Sequence, residues 1–486
     1  MDHHITPPPN PLFNVQTHSR AQGNGRLEIV GTYEYSTSGS TGQAIEAPTN
    51  ITGTINAKSG IMEFTGEVAG TGCTVNAASG ATMMFGVNKG IAFDAATTFD
   101  VEGTVAVDGS VTIEGADTTI ATLSIGNSGT LLQNGAAKVT TLEINNGGVL
   151  SGTGDIAVDT LEFTAGTIAG SGTLTVTTAD FVQNSAWGLT GRTLLVKTKA
   201  DLYTGTMTFD SGATLEFASG STATFAPTGN TPASQQLGLL MSDKSSKIVL
   251  DGTMSVSNGG FNVGVGATIS GIVSIGSKGY MSTTSDLTVS GNITMAEGTS
   301  LKVTGSTTFT KTSALTGADG APAGSLVNLA SLITFEGVVS VASLTMKNGG
   351  CDFNGPRSVV TTLNMDTGSA DIGGTMPVTV GTLVWSSGDI TNTANVTVTK
   401  LLNQTSTSGV SMDAATIFIE ADADFSKASI FLTHRSQVCV GGGVGWRCND
   451  KRLPWVQSRR CDCVHVSLNG CCLIVLSPFP RLSELS

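Results

Sequence analysis

Histidine is missing from position 19 through position 433; the five in the chain are His3, His4, His18, His434 and His465. That gap takes the commonest general base and the commonest zinc ligand out of most of the chain. A Ser-His-Asp triad and a His-ligated zinc are therefore excluded there. Charge is scarce as well: Asp, Glu, Lys and Arg make up 13% of the 486 residues, against roughly 25% in an average globular chain. Aromatics are 5%. No apolar run reaches the ~18 residues that a bilayer-spanning helix needs; the longest in the C-terminal tail runs only from Cys471 to Leu476. The body holds two cysteines, Cys73 and Cys351.

A 39% hydrophobic fraction and a mean hydropathy of +0.17 conflict with disorder. Collagen is excluded because Gly does not recur at every third position. A coiled coil would need Ala, Glu, Lys and Leu in heptads. What is abundant is Gly (62 residues) and Thr (about 70), the composition of a chain rich in strands and turns. The net charge of −13 joins two unlike pieces. Residues 1–433 carry 17 basic and 34 acidic side chains, giving −17, whereas residues 434–486 carry 7 and 3, giving +4. An acidic body repels phosphate backbones, so no nucleic-acid partner is expected.

A repeat emerges at 122–178, where TLSIGNSGTLLQNGAAKVT, TLEINNGGVLSGTGDIAVD and TLEFTAGTIAGSGTLTVTT begin at Thr122, Thr141 and Thr160. The same phase returns with starts at Ser343, Thr362, Thr382 and Leu401. Within a repeat the hydrophobics alternate, as Leu142 and Ile144 do around Glu143, and a period of two means a strand with one face inward. Each repeat holds about three such strands, joined at Asn146-Gly147-Gly148 and Gly152-Thr153-Gly154, residue types that tolerate positive φ. Three short strands and three turns in about 19 residues close one rung of a parallel β-helix. The L-x-x-L-x-L pattern and Asn ladder of a leucine-rich repeat are missing.

The expected fold is thus all-β, a right-handed parallel β-helix with 19–20-residue rungs. In its core Leu123, Leu142 and Leu161 should stack, as should Ile125, Ile144 and Phe163, and Val139, Val158 and Val176. Later columns should be Leu344, Leu363, Leu383 and Met346, Met365, Trp385. If 26–433 is all solenoid, about 21 rungs fit, some 100 Å in length. Residues 1–25 read as disordered. Residues 227–246 and 312–330, with Pro and weak alternation, read as loops extruded from the stack. The tail, 434–486, holds Cys439, Cys448, Cys461, Cys463, Cys471 and Cys472 and no repeat phase. It reads either as a small disulfide-bonded module or as translated non-coding sequence. The start places Pro7, Pro8 and Pro9 where the apolar part of a secretion signal would lie, so the secreted chain is expected to begin further upstream.

No residue set qualifies as a catalytic, cofactor-binding or metal site, and no cofactor is expected. Gly264-Val265-Gly266 has no helix after it and carries no nucleotide signal. Glu143 and Glu162, one rung apart, are the nearest thing to a carboxylate pair and read as an outward, solvated column. Ice binding would need Thr-x-Thr in register, and the places Lys138/Thr140, Ala157/Asp159 and Thr175/Thr177 break it. The sequons at Asn50, Asn292, Asn395 and Asn403 are no more than chance supplies.

The unit seen as GVLSGTGDIAV (148–158) and GTIAGSGTLTV (166–176) resembles the short-rung β-helix repeats of bacterial autotransporter passengers and filamentous adhesins. The resemblance covers most of 50–420 and implies an extracellular or cell-surface structural, adhesin-like protein without catalytic activity. Its implied partners are surface glycans or other surface proteins, with self-association through the solenoid ends. Two other readings stay open. One is a polysaccharide-binding or polysaccharide-degrading β-helix with its site under the loops at 227–246 and 312–330. The other is an ice-binding β-solenoid.

Overall fold

The computed structural model describes residues 25–440, together with Phe13–Val15, Trp446–Arg447 and Gln457–Ser458. The description omits 38–41, 87–89, 183–184, 227–235, 242–244, 318–321, 367–369, 392–394, 407–409, 421, 425–429 and 434–435. Every regular element described is a β-strand, and the described strand pairs are parallel. The chain divides into two compact units at Gly252/Thr253. Each is a parallel β-solenoid, and together they make about 18 turns.

In the first unit the period-two alternation builds three walls. Leu27–Ile29, Thr49–Ile51 and Val68–Gly70 open the first wall. Thr32–Tyr35, Thr54–Ala57 and Thr74–Ala77 open the second. Gly42–Ile45, Gly60–Phe64 and Ala81–Phe85 open the third. From Thr98–Val107 through Thr193–Leu202 one bent strand supplies the second and third walls in turn, as in Thr118–Ile125, Ala137–Ile144 and Ile156–Phe163. The second unit repeats the plan, with columns such as 280–283, 300–303, 325–328 and 343–346.

All the expected core columns form. Leu123, Leu142 and Leu161 pair in register, as do Ile125, Ile144 and Phe163, and Val139, Val158 and Val176. Leu344, Leu363 and Leu383 stack, and so do Met346, Met365 and Trp385. These side chains are at most 4% exposed. Few aromatics suffice because they are concentrated inside. Phe309, Phe335 and Phe353 stack at 5.0 and 5.3 Å between ring centroids. Trp187 packs edge-on to Phe181 and donates its Nε1–H to the Phe163 carbonyl at 2.8 Å.

The corners follow the turn chemistry. Asn146 and Gly147 both take positive φ, 47° and 82°. A second use of glycine is close approach between turns. A Cβ on Gly154 would sit 2.0 Å from the Gly135 carbonyl oxygen, and one on Gly355 would sit 1.9 Å from that of Gly337. Only a bare backbone fits at those two corners.

Two expectations need correction. About 18 turns replace the expected 21 because several turns are longer than the repeat. Asn292 pairs with Ala314 and Ala314 with Val338, 22 and 24 residues on, and Gly205 pairs with Leu237, 32 residues on. The supposed loops also contain strands. Gln236–Met241 joins the first wall beside Gly205–Asp210, and Ala314–Gly317 and Ala323–Asn328 both lie in the second unit's sheets. Residues 227–235 and 318–321 fall outside the description, as does almost all of the Cys-rich tail.

Candidate functional site

With the inward positions filled by the core, any chemistry lies in the outward columns. The richest is on the third wall of the first unit. Thr82, Thr104, Thr122, Thr141, Thr160 and Thr178 occupy one in-register file over six successive strands. Neighbouring strands stand ~4.8 Å apart, and Thr178 Oγ1 donates to Thr160 Oγ1 at 3.4 Å. It is a single Thr file and not the Thr-x-Thr ladder that ice binding would need, since Ala106, Ser124, Glu143, Glu162 and Asp180 stand two residues on. Lys138, Ala157 and Thr175 do break a column, but on the second wall. Thr140, Asp159 and Thr177 lie at the bend between walls and pair with nothing in register. The ladder sits at the first residue of each repeat, so its signal was the repeat phase itself.

Two residues further along each strand runs a second file: Ala106, Ser124, Glu143, Glu162, Asp180 and Asp201. The pairing of Glu143 with Glu162 is as expected; its extension through Asp180 and Asp201 was not foreseen. Four carboxylates in file repel one another. Lys199 relieves the end of the row, its Nζ 2.5 Å from Asp201 Oδ2, which holds the Lys199 pKa above its ordinary value. Asp180 is the least solvated. Burial, followed by the charge of Asp201, pushes its carboxyl above the usual range while Lys199 pulls the other way. Its Oδ1 is buried and meets no hydrogen-bond donor among the described residues.

The second unit carries a shorter relative of this arrangement. Thr268, Thr288, Thr308 and Thr334 align and lead to Asp352. Asp371 pairs with Asp389, whose Oδ1 accepts a hydrogen bond from Ser411 Oγ. Asp371 is raised chiefly by burial and then by Asp389, and Asp352 is raised by burial. The second wall of the first unit shows an amide file, with Asn76 Nδ2 donating to Asn56 Oδ1 at 2.7 Å and Asn56 Nδ2 to Glu34 Oε1 at 3.4 Å.

Arg192, one of only three arginines between residue 20 and the tail, does not join any of these walls. It is fully buried at an inner corner of the first unit. Its Nη2 donates to the Gly152 carbonyl at 2.7 Å, and Nε and Nη1 meet no acceptor among the described residues. Burial lowers its pKa, against the pull of Asp155. Of the remaining candidates, Gly264-Val265-Gly266 is a corner with Val265 turned into the core. Asn50, Asn292, Asn395 and Asn403 all lie on strands.

Chemically, parallel files of hydroxyls and carboxylates can accept and donate hydrogen bonds along an extended partner. Among the described residues no group of three or more His, Cys, Asp or Glu converges to hold a metal ion. No helix among them is long and apolar enough to cross a membrane. No protein-family model, curated protein or solved structure matches the chain.

Proposed function

We propose that the chain is a structural, adhesive β-solenoid that works outside the cell or on its surface and carries no catalytic activity of its own. The observation that carries this reading is the in-register character of the walls. Thr82 through Thr178 and Glu143 through Asp201 run as straight files across successive turns, a pattern suited to contact along a length. Enzymes instead converge unlike groups on one reacting centre. The repeat unit's likeness to autotransporter passengers and filamentous adhesins supports the surface location, and glycans or other surface proteins are the matching partners. The test has two arms. Cells producing the chain are treated with an external protease and probed for its loss, and the purified chain is screened on a glycan array. Full protection inside intact cells, with no glycan or surface protein retained, overturns the proposal.

A second reading, polysaccharide processing on the third wall, rests on Asp180. A carboxyl held above its ordinary range beside a second acidic side chain is the kind of pairing that glycosidases use for acid and nucleophile. The site would then be this wall and not the loops. Incubation with neutral and acidic polysaccharides, followed by a reducing-end assay, separates the two. Turnover that Asp180→Asn and Glu162→Gln both abolish establishes the second reading.

A further inference from the structure

The three walls of the first unit differ in charge. The second carries Glu34, Asp100, Lys138 and Glu216 in outward register, and the third carries Glu63, Glu143, Glu162, Asp180 and Asp201. On the first wall, the strands from Val68–Gly70 through Ser185–Thr190 contain no Asp, Glu, Lys or Arg, and the next, Gly205–Asp210, carries its one charge at its last residue. That is seven consecutive strands without a charge in a body of net −17. Its outward positions are weakly apolar. One file runs Ala69, Ala92, Thr112, Leu132, Ser151. The other runs Thr130, Val149, Thr167, Gly188, Thr208 and ends on Leu240, which is 49% exposed. Asp210 closes the eighth strand at its exposed end, and Asp94, Asp108 and Glu114 stand at corners beyond the strands.

We propose that this wall pairs face to face with the same wall of a second copy of the chain. Two acidic bodies repel, and on this stretch of the first wall they meet without placing carboxylates opposite carboxylates. A self-complementary patch of Ala, Thr, Val and Leu suits the two-fold symmetry that most homodimers adopt, because each contact is made twice. Sheets of this composition pack about 10 Å apart with interleaved side chains. Seven strands at ~4.8 Å and about four residues at ~3.3 Å give a footprint of roughly 450 Å² per copy. That is the size of a weak, reversible interface. The corner acids form a like-charged rim, so salt screens their repulsion and tightens the dimer, the reverse of an interface held by ion pairs.

The test is sedimentation velocity on the full chain with reductant present, over about 1–100 μM, the range in which an interface this small dissociates. The proposal expects a reversible monomer–dimer equilibrium that strengthens with added salt. Val149→Lys places two cations against the opposing wall and should weaken the dimer at least about tenfold. Ala157→Lys, beside Lys138 on the second wall, should leave it unchanged. Thr167→Lys serves as a second probe should Val149→Lys lose its circular-dichroism signature. A monomer at every concentration overturns the proposal, as does equal weakening by Ala157→Lys. A monomeric parent whose glycan binding is lost on Val149→Lys also overturns it, by giving the wall to a different occupant.

Discussion

Replacing Phe335 by Ala tests whether the core columns hold the solenoid together turn by turn. Phe335 is fully buried between Phe309 and Phe353, with centroid separations of 5.0 and 5.3 Å and interplanar angles of 25° and 17°. Its removal leaves both neighbouring rings without a partner. A buried Phe→Ala exchange costs about 3–5 kcal/mol, and each lost ring pair is worth about 0.5–1.5 kcal/mol beyond area. The loss of two such pairs puts Phe335→Ala in the upper half of that range, near 4 kcal/mol. Phe335→Leu keeps most of the volume and should cost roughly 1.5 kcal/mol.

Where that energy is lost matters more than its total. In a solenoid each turn contacts only its neighbours, and a single unfolding free energy is poorly defined for such arrays. Hydrogen exchange read by mass spectrometry is therefore the appropriate assay. Amides of 307–309, 333–335 and 351–353, which pair directly through this column, should lose protection equivalent to about 4 kcal/mol. Amides of Val378–Trp385 and Asn395–Gln404, further along the same unit, should change little. A loss below about 1 kcal/mol, or one spread evenly over the unit, refutes the reasoning.

Four further outcomes follow from the geometry. Gly355→Ala drives a Cβ to 1.9 Å from the Gly337 oxygen and should lower thermal stability by more than the ~1 kcal/mol of a tolerated glycine exchange, as calorimetry would register. Arg192→Met fills the corner without a buried charge and should be neutral or stabilising by about 1–3 kcal/mol in urea titration, whereas Arg192→Ala opens a cavity and should destabilise. Asp180 has a folded pKa above its unfolded value, so the stability it contributes is complete below the unfolded value, near 3.9, and is lost as pH rises through the folded one; Asp180→Asn should raise the melting temperature at pH 7 and leave it unchanged below about pH 4. Burial pushes the Cys351 thiol up to about 12, so Cys351 should resist iodoacetamide at pH 8 in the native chain and react once denatured, as peptide mass mapping would read.

What could be read from the chain, and what could not, divides along the inside and outside of the wall. Inward residues declared themselves because the core accepts little but Leu, Ile, Val and Phe at every second position. Leu142 and Ile144 therefore predicted their partners one turn away without error. The number of turns was misread because it depends on how many residues each corner absorbs, and Gly, Ser and Asn permit several lengths. The 32-residue step from Gly205 to Leu237 passes through Pro227 and Pro232, which concealed the strand Gln236–Met241. Pro322 similarly hid the alternation of Ala323–Asn328. The burial of Arg192 had no local signal. It follows from Gly152 and Gly170 leaving the inner corner bare two turns and one turn earlier.

Outward residues gave weaker signals, for a physical reason. A parallel strand's backbone is satisfied by its neighbours whatever its outer side chain is, so a wall tolerates Thr, Ala, Ser or Glu at nearly equal cost. Order among such positions is therefore not something that folding by itself demands. Six Thr in one file, four acids in the next, and seven uncharged strands on another wall are each more ordered than the fold requires. Stability alone argues against the acid file, since Glu143, Glu162, Asp180 and Asp201 repel one another and Lys199 stands at only one end of the row. Placing those charges on one wall while a second stays neutral separates a face that repels other acidic bodies from a face that can meet them. On the proposed pairing, that separation lets two copies meet through the neutral wall and still present a polar wall outward.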